Sequence, residues 1–335
     1  ILSRNALDIE REVMLDFVRV TETAALRAGR YMGRGDKEAA DGAAVDGMRG
    51  MLDLVEVSGT VIIGEGEKDK APMLYIGEKV GRGEGPEMDI AVDPVEGTRL
   101  VAYGLPNAVS VIVAAEKGSL APISAWYMNK IAVGPEAAGQ IDINAPVREN
   151  LRVVAATLRK KVRDLTVVIL NRPRHEDLIQ EVRNCGARIK LISDGDVSAG
   201  ISTCLPESGV DMLLGIGGAP EGVLTAAALK CLGGEIQAKL WFPDEPARGK
   251  AVKEEFDLEK IYYTENLASG NQIIFAATGI TDGELLKGVR YHGDQAITHS
   301  VVMRAQTRTV RFIESYHDLR FKTVRSKKRS KELSV

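Results

Sequence analysis

Only three of the 335 residues are cysteine and only four are histidine. Cys185, Cys204 and Cys231 are odd in number, widely spaced and set in apolar or helical context. That excludes a disulfide framework and the CxxC spacing of thiolate sites, so they read as reduced packing residues. His175, His292, His299 and His317 show no ligand spacing. Any metal bound here is therefore a hard ion on oxygen ligands. No run approaches the ~18 apolar residues of a membrane span, and "ILSRNALDIEREVMLDF" carries acids and no secretory core. The expectation is a cytoplasmic protein away from membranes. Charge is balanced, with 44 basic against 47 acidic residues and a net −3, so no positive field points to nucleic acid. The one basic concentration, "FKTVRSKKRSKELSV" (321–335), reads as a solvated end. Internal repeats and low-complexity segments are missing too. "GIGG" (215–218) invites a dinucleotide reading, but Pro220 occupies the fingerprint's third glycine position, and that reading is rejected.

What is present is ordinary globular texture, 44% hydrophobic and 27% charged. Residues 8–32 have helical periodicity with Gly33 as the stop. Residues 37–55 repeat apolar positions at helical spacing, and Asp41 falls on their buried face, where an unpaired charge is costly. "GTVIIGEGEKDKAP" (59–72) is a β-branched run that stops at acids, and "DIAVDPVEGTRL" (89–100) has the same grammar. The proline and glycine scatter at 134–146 marks the expected boundary, giving domains 1–145 and 146–335. Beyond it, 165–201 and 210–240 alternate strand and helix, whose strand-end loops are the usual place for function.

Five acids stand out by context: Asp41, Glu65, Asp93, Glu96 and Glu221. Each alone has a plain reading as a turn or capping acid, and Glu221 in "GGAPEG" suits a helix N-terminus with no metal at all. Gathered together they would repel by about 4 kcal/mol per pair at ~4 Å. Divalent cations would relieve that, as in phosphoryl hydrolases where metals activate a water and clamp the leaving oxygen. Gly97-Thr98 follows the acid turn directly. If a helix begins there its amides can cradle phosphate, Thr98 can orient the water, and Asp69 can polarise that hydroxyl. Lys37 offers positive charge to the phosphate, against a plain reading as a solvated helix start. Arg172 and Arg174 in "NRPRH" lie on one side of an extended strand end and suit a second phosphate. Asp194 and Asp196 in "SDGDV" suit sugar hydroxyls.

These motifs resemble a known family. "GRGDKEAADGAAV", "VIIGEGEKDKAPMLYIGEKVG", "DIAVDPVEGT", "NRPRHEDLI", "ISDGDV" and "GIGGAPEGV" are similar, in order and from about residue 14 to about 320, to class II fructose-1,6-bisphosphatases. That family lies within the lithium-sensitive, metal-dependent phosphatases. The resemblance implies an α/β fold layered α/β/α/β/α, usually dimeric or tetrameric. It implies metal ligands at Asp41, Glu65, Asp93, Glu96 and Glu221, and Mg²⁺ or Mn²⁺ as cofactor. Substrate contacts fall on Glu96, Gly97, Thr98, Tyr127, Arg172, Pro173, Arg174, Asp194, Gly195, Asp196 and Gly218, with Lys37, Asp69 and Thr98 supporting the chemistry. The expected reaction is removal of the 1-phosphate of fructose 1,6-bisphosphate. A dual fructose/sedoheptulose bisphosphatase, an inositol-phosphatase-like enzyme and a non-catalytic sugar-phosphate binding module are the alternatives. The short "GRGEGPEM" segment looks more like single-substrate members.

Overall fold

The computed structural model describes residues 6–66, 73–123, 126–254, 256–325 and 332–334. Its strands are β1 (Ser58–Ile63), β2 (Lys79–Val80), β3 (Glu87–Glu96), β4 (Val109–Glu116), β5 (Tyr127–Val133), β6 (Thr166–Leu170) and β7 (Arg188–Ile192). They continue with β8 (Met212–Gly218), β9 (Glu235–Trp241), β10 (Ile261–Tyr263), β11 (Ile273–Gly279), β12 (Arg290–His292), β13 (Gln295–Arg304) and β14 (Thr309–Asp318). The helices that matter for the site are α1 (Ala6–Ala28), α2 (Lys37–Leu52), α3 (Thr98–Tyr103), α4 (Val147–Thr157), α5 (Glu176–Asn184), α6 (Asp196–Ser202) and α7 (Ala219–Leu232). None of the described helices is long and apolar enough to cross a membrane.

The chain forms two compact units, 1–122 with 270–335, and 123–269. This differs from the expected division at 145/146. β5, which precedes that boundary, pairs with β8 and β9 of the second unit. The late strand β11 returns to pair antiparallel with β4 along seven residues, which draws the C-terminal part into the first unit. A return over more than 150 residues leaves no local mark in composition.

The first unit is an eight-stranded mixed sheet in the order β12-β13-β11-β4-β3-β1-β2, with β14 on the outer side of β13. β1 and β3 run parallel and the other neighbours antiparallel. β4 and β11 are apolar nearly throughout and buried on both faces. α1 and α2 pack together on this sheet, joining Phe17, Ala24, Ala44 and Met48 to Ile90, Val92, Ile112 and Ile274 in one core. Fully burying a side chain of Phe or Ile size contributes about 1.5–3 kcal/mol. α2 starts at Lys37 because Asp36 caps it, its carboxylate accepting from the Ala39 amide at 2.9 Å.

The second unit is a six-stranded sheet in the order β10-β9-β5-β8-β6-β7. The β6-β7 and β6-β8 pairs are parallel, as the alternation of strand and helix in the sequence predicts. One face carries Ile131, Val133, Val167, Ile169 and Leu214 against Leu151 and Val154 of α4 and Ile179 and Val182 of α5. The opposite face of β5 and β8 meets α6 and α7. Among the described residues Cys185, Cys204 and Cys231 form no disulfide. Burial pushes the Cys204 thiol up to about 12, which fits a packing role.

Candidate active site

In the first unit four acids converge through strand ends. β1 runs parallel beside β3, with Ile63 opposite Ala91. The chain leaves β1 at Gly64, so Glu65 emerges beside the Asp93 end of β3. The Glu65 amide is held by the Leu74 carbonyl at 2.9 Å. α2 packs over β3 and presents Asp41 to the same place. Burial first, then Asp93 and Glu38, pushes Asp41 up to about 6. Burial, then Asp41 and Asp93, pushes Glu65 up to about 8. The three carboxyls therefore feel one another, as clustered acids without a cation must.

The strand carrying Asp93 and Glu96 is not regular. Asp93 pairs with Val111 and Glu96 with Val109, so three steps on β3 match two on β4. In an unbroken strand residues three apart point to opposite faces. The extra residue of this bulge turns both carboxylates the same way, with ligand oxygens within 4.8 Å of each other. Pro94 sits inside the irregularity, where a missing amide donor costs least. Asp93 Oδ1 accepts from the Val95 amide at 3.1 Å, which fixes its rotamer. Glu96 is 4% exposed. The turn that looked like punctuation in sequence is thus a device for aiming two acids.

Gly97 follows with φ +92, a left-handed conformation that favours glycine, and a Cβ there would lie 2.7 Å from Leu100 Cδ1. α3 begins at Thr98. The helix is only six residues long, and its Leu100 and Val101 amides donate to the Gly97 carbonyl, so the phosphate-cradle expectation is left with the amides that precede Leu100. Lys37 is exposed at the start of α2, 3.5 Å from Glu38, and one helical turn before Asp41. Asp69 lies outside the described residues.

In the second unit the predicted residues gather at one end of the sheet. Tyr127 opens β5 and faces Gly218, the last residue of β8. Arg174 stacks over the Tyr127 ring, 5.2 Å to the centroid, and donates to the Ile216 carbonyl at 2.8 Å. Arg172 lies 3.6 Å from Asp194. The extended arginine dipeptide expected from sequence is corrected here: β6 ends at Leu170, and Pro173, Arg174 and His175 form a 3-10 turn. Proline's fixed φ at the first helical position starts such a turn. Gly195 (φ +82) caps α6, which opens with Asp196, and Gly218 caps α7, with Glu221 in its first turn.

Two residues of this edge escaped the sequence reading. His175 is buried; the Ile216 amide donates to its Nε2 at 2.7 Å, so Nδ1 carries the proton toward the Leu170 carbonyl at 2.7 Å. Burial lowers its pKa, the Leu170 carbonyl opposes, and Arg174 and Arg172 lower it further. This neutral imidazole ties the arginine turn to β8. Lys130 is 2% exposed on β5. Its signal was a lysine spaced with Met128 and Ala132 on one buried strand face, a position that demands a partner.

Comparison with known proteins agrees with these motifs. Residues 11–317 match the model of the family described as bacterial fructose-1,6-bisphosphatase, glpX-encoded. The chain is 47% identical over 326 residues to fructose-1,6-bisphosphatase 1 class 2 of Escherichia coli K12, covering 93% of this chain and 96% of that protein. The class 2 fructose-1,6-bisphosphatases of Escherichia coli O6:H1 and Shigella flexneri are similar to the same extent, 47% over the same coverage.

Proposed function

Because the chain belongs to the glpX-encoded family of bacterial fructose-1,6-bisphosphatases, we propose that it hydrolyses the 1-phosphate of fructose 1,6-bisphosphate, the phosphatase step of gluconeogenesis, in the cytoplasm. The observation that carries the reading is the mutual crowding of Asp41, Glu65 and Asp93 beside Glu96. An all-oxygen donor set that repels itself fits Mg²⁺ or Mn²⁺ and suits neither zinc nor copper. Asp41, Glu65, Asp93 and Glu96 would hold the ions, with Glu221 as a further ligand. Bound there, such ions lower the pKa of a water and neutralise phosphate charge.

The remaining work falls to the chain's own side chains. The Thr98 hydroxyl orients the attacking water, and Asp69 polarises that hydroxyl. The amides of Gly97 and Thr98 receive the reacting phosphate, with Lys37 adding positive charge. Arg172 and Arg174 take the distal phosphate, Asp194 and Asp196 the sugar hydroxyls, and Tyr127, Pro173, Gly195 and Gly218 close around the sugar. Arg174 is already bound to the Ile216 carbonyl and stacked on Tyr127, so little freedom is lost when phosphate arrives. The working form is a homodimer or homotetramer.

Phosphate release across fructose 1,6-bisphosphate, sedoheptulose 1,7-bisphosphate, fructose 6-phosphate and inositol 1-phosphate tests this. The fructose bisphosphate is expected to lead, and monophosphates lacking the distal phosphate to lag. Equal rates on inositol 1-phosphate would overturn the substrate reading. Equal rates on the sedoheptulose bisphosphate would make it a dual enzyme.

A further inference from the structure

Lys130 stands on the face of β5 that meets α6 and α7, and its side chain is 1% exposed. Its stem passes Gly222 of α7, where a Cβ would lie 3.6 Å from Lys130 Cδ. The ammonium ends 2.6 Å from Asp196 Oδ2 and donates to the Gly218 carbonyl at 3.0 Å. Asp196 is itself 5% exposed. The space was kept for this pair: at Gly217 an added Cβ would overlap Asp196 Oδ2 and come within 2.7 Å of Lys130 Nζ.

Stability alone is a weak reason for such a pair. Withdrawing two charges from water costs several kcal/mol each, and replacing a buried pair by apolar groups of similar volume is often neutral or stabilising. A methionine would fill the stem's space without any charge. What the ammonium does that methionine cannot is fix two acceptors from two different elements, the first residue of α6 and the residue capping α7. Both sit at the sheet end where Tyr127 faces Gly218.

We propose that Lys130 is a positioning residue for substrate binding, holding the Asp196 carboxylate and the Gly218 carbonyl in the arrangement that receives the sugar. This rests on the reading of Asp196 and Gly218 as substrate contacts. Lys130 acts through them, with no contact of its own to the substrate.

The test is a double-mutant cycle on KM and kcat for fructose 1,6-bisphosphate. Lys130→Met is expected to raise KM about 10-fold or more while kcat stays within about 3-fold, the pattern of lost binding rather than lost chemistry. In the Asp196→Asn background the same change is expected to add less than about 2-fold, because coupled residues give non-additive effects. A merely structural lysine would lower the unfolding midpoint without that KM-specific, Asp196-dependent pattern. Wild-type KM in Lys130→Met, or the full factor repeated on top of Asp196→Asn, overturns the proposal. If Asp196→Asn alone leaves KM untouched, the assignment of Asp196 to the sugar fails first and the proposal falls with it. Should Lys130→Met not fold, Lys130→Leu, which likewise removes every donor, carries the same cycle with the same outcomes.

Discussion

Glu65→Gln in metal-free protein separates the cost of the acid cluster from its use. The unfolded chain loses this proton near 4.5, whereas the folded chain holds it to about 8, because burial, Asp41 and Asp93 disfavour the charge. Between those values the folded state binds more protons than the unfolded state, so stability falls as pH rises through the window and levels off above about pH 8. Asp41, raised from 3.8 to about 6, adds its own loss over the lower part. At about 1.36 kcal/mol per unit, the Glu65 shift corresponds to about 5 kcal/mol once fully developed. Glutamine keeps the shape and never ionises. Urea unfolding in EDTA, monitored from pH 5 to 8.5, is expected to show wild type weakening and Glu65→Gln holding nearly flat apart from the Asp41 contribution. By pH 8 the variant should be the more stable by ~2–5 kcal/mol. With Mg²⁺ or Mn²⁺ restored the order should reverse, because on the proposed metal role only the wild type offers this carboxylate to a cation, and the variant should lose most activity. A Glu65→Gln protein less stable than wild type at pH 8 in EDTA would refute the reasoning, because the carboxylate would then be a stabilising partner rather than a strained one.

Other substitutions should fail in distinguishable ways. Thr98→Ala keeps every carboxylate and removes only a hydroxyl, so kcat should fall about 10²-fold with metal and substrate affinity retained, read by steady-state kinetics beside calorimetric metal titration. Asp93→Asn should weaken metal binding and rate together in the same two assays. Arg174→Ala should mostly raise KM if, as proposed, it meets the phosphate that does not react; an unchanged KM would place the distal phosphate elsewhere. Gly217→Ala forces a methyl into the Lys130–Asp196 pair and should destabilise by about 1–3 kcal/mol in urea unfolding.

Much of the secondary structure was legible because its causes are local. The helical spacing of Ala44, Met48 and Leu52 and the β-branched runs of β1 and β6 are written in neighbouring residues. Asp93 and Glu96 could be named from sequence but not explained, since the bulge that aims them together depends on pairing with β4. The discontinuous first unit was hidden for a similar reason: β11 meets β4 across more than 150 residues, and long-range pairing leaves no periodicity. At Pro173 the sequence suits an extended strand end as well as a turn, since a proline three residues past the strand permits either. A single lysine in a strand reads as an exposed position, so Lys130 carries no expectation from the sequence. Its alternation with Met128 and Ala132 was the available clue, and its partners Asp196 and Gly218 lie 66 and 88 residues away.

The central claim is that the crowded carboxylates exist to hold divalent cations. Crystals grown with Mn²⁺ and examined by anomalous scattering address it without reference to rate. Peaks are expected about 2.0–2.3 Å from carboxylate oxygens of Glu65, Asp93 and Glu96. Maps without a peak at these carboxylates, from protein that hydrolyses fructose 1,6-bisphosphate with Mn²⁺ in the same solution, would contradict it.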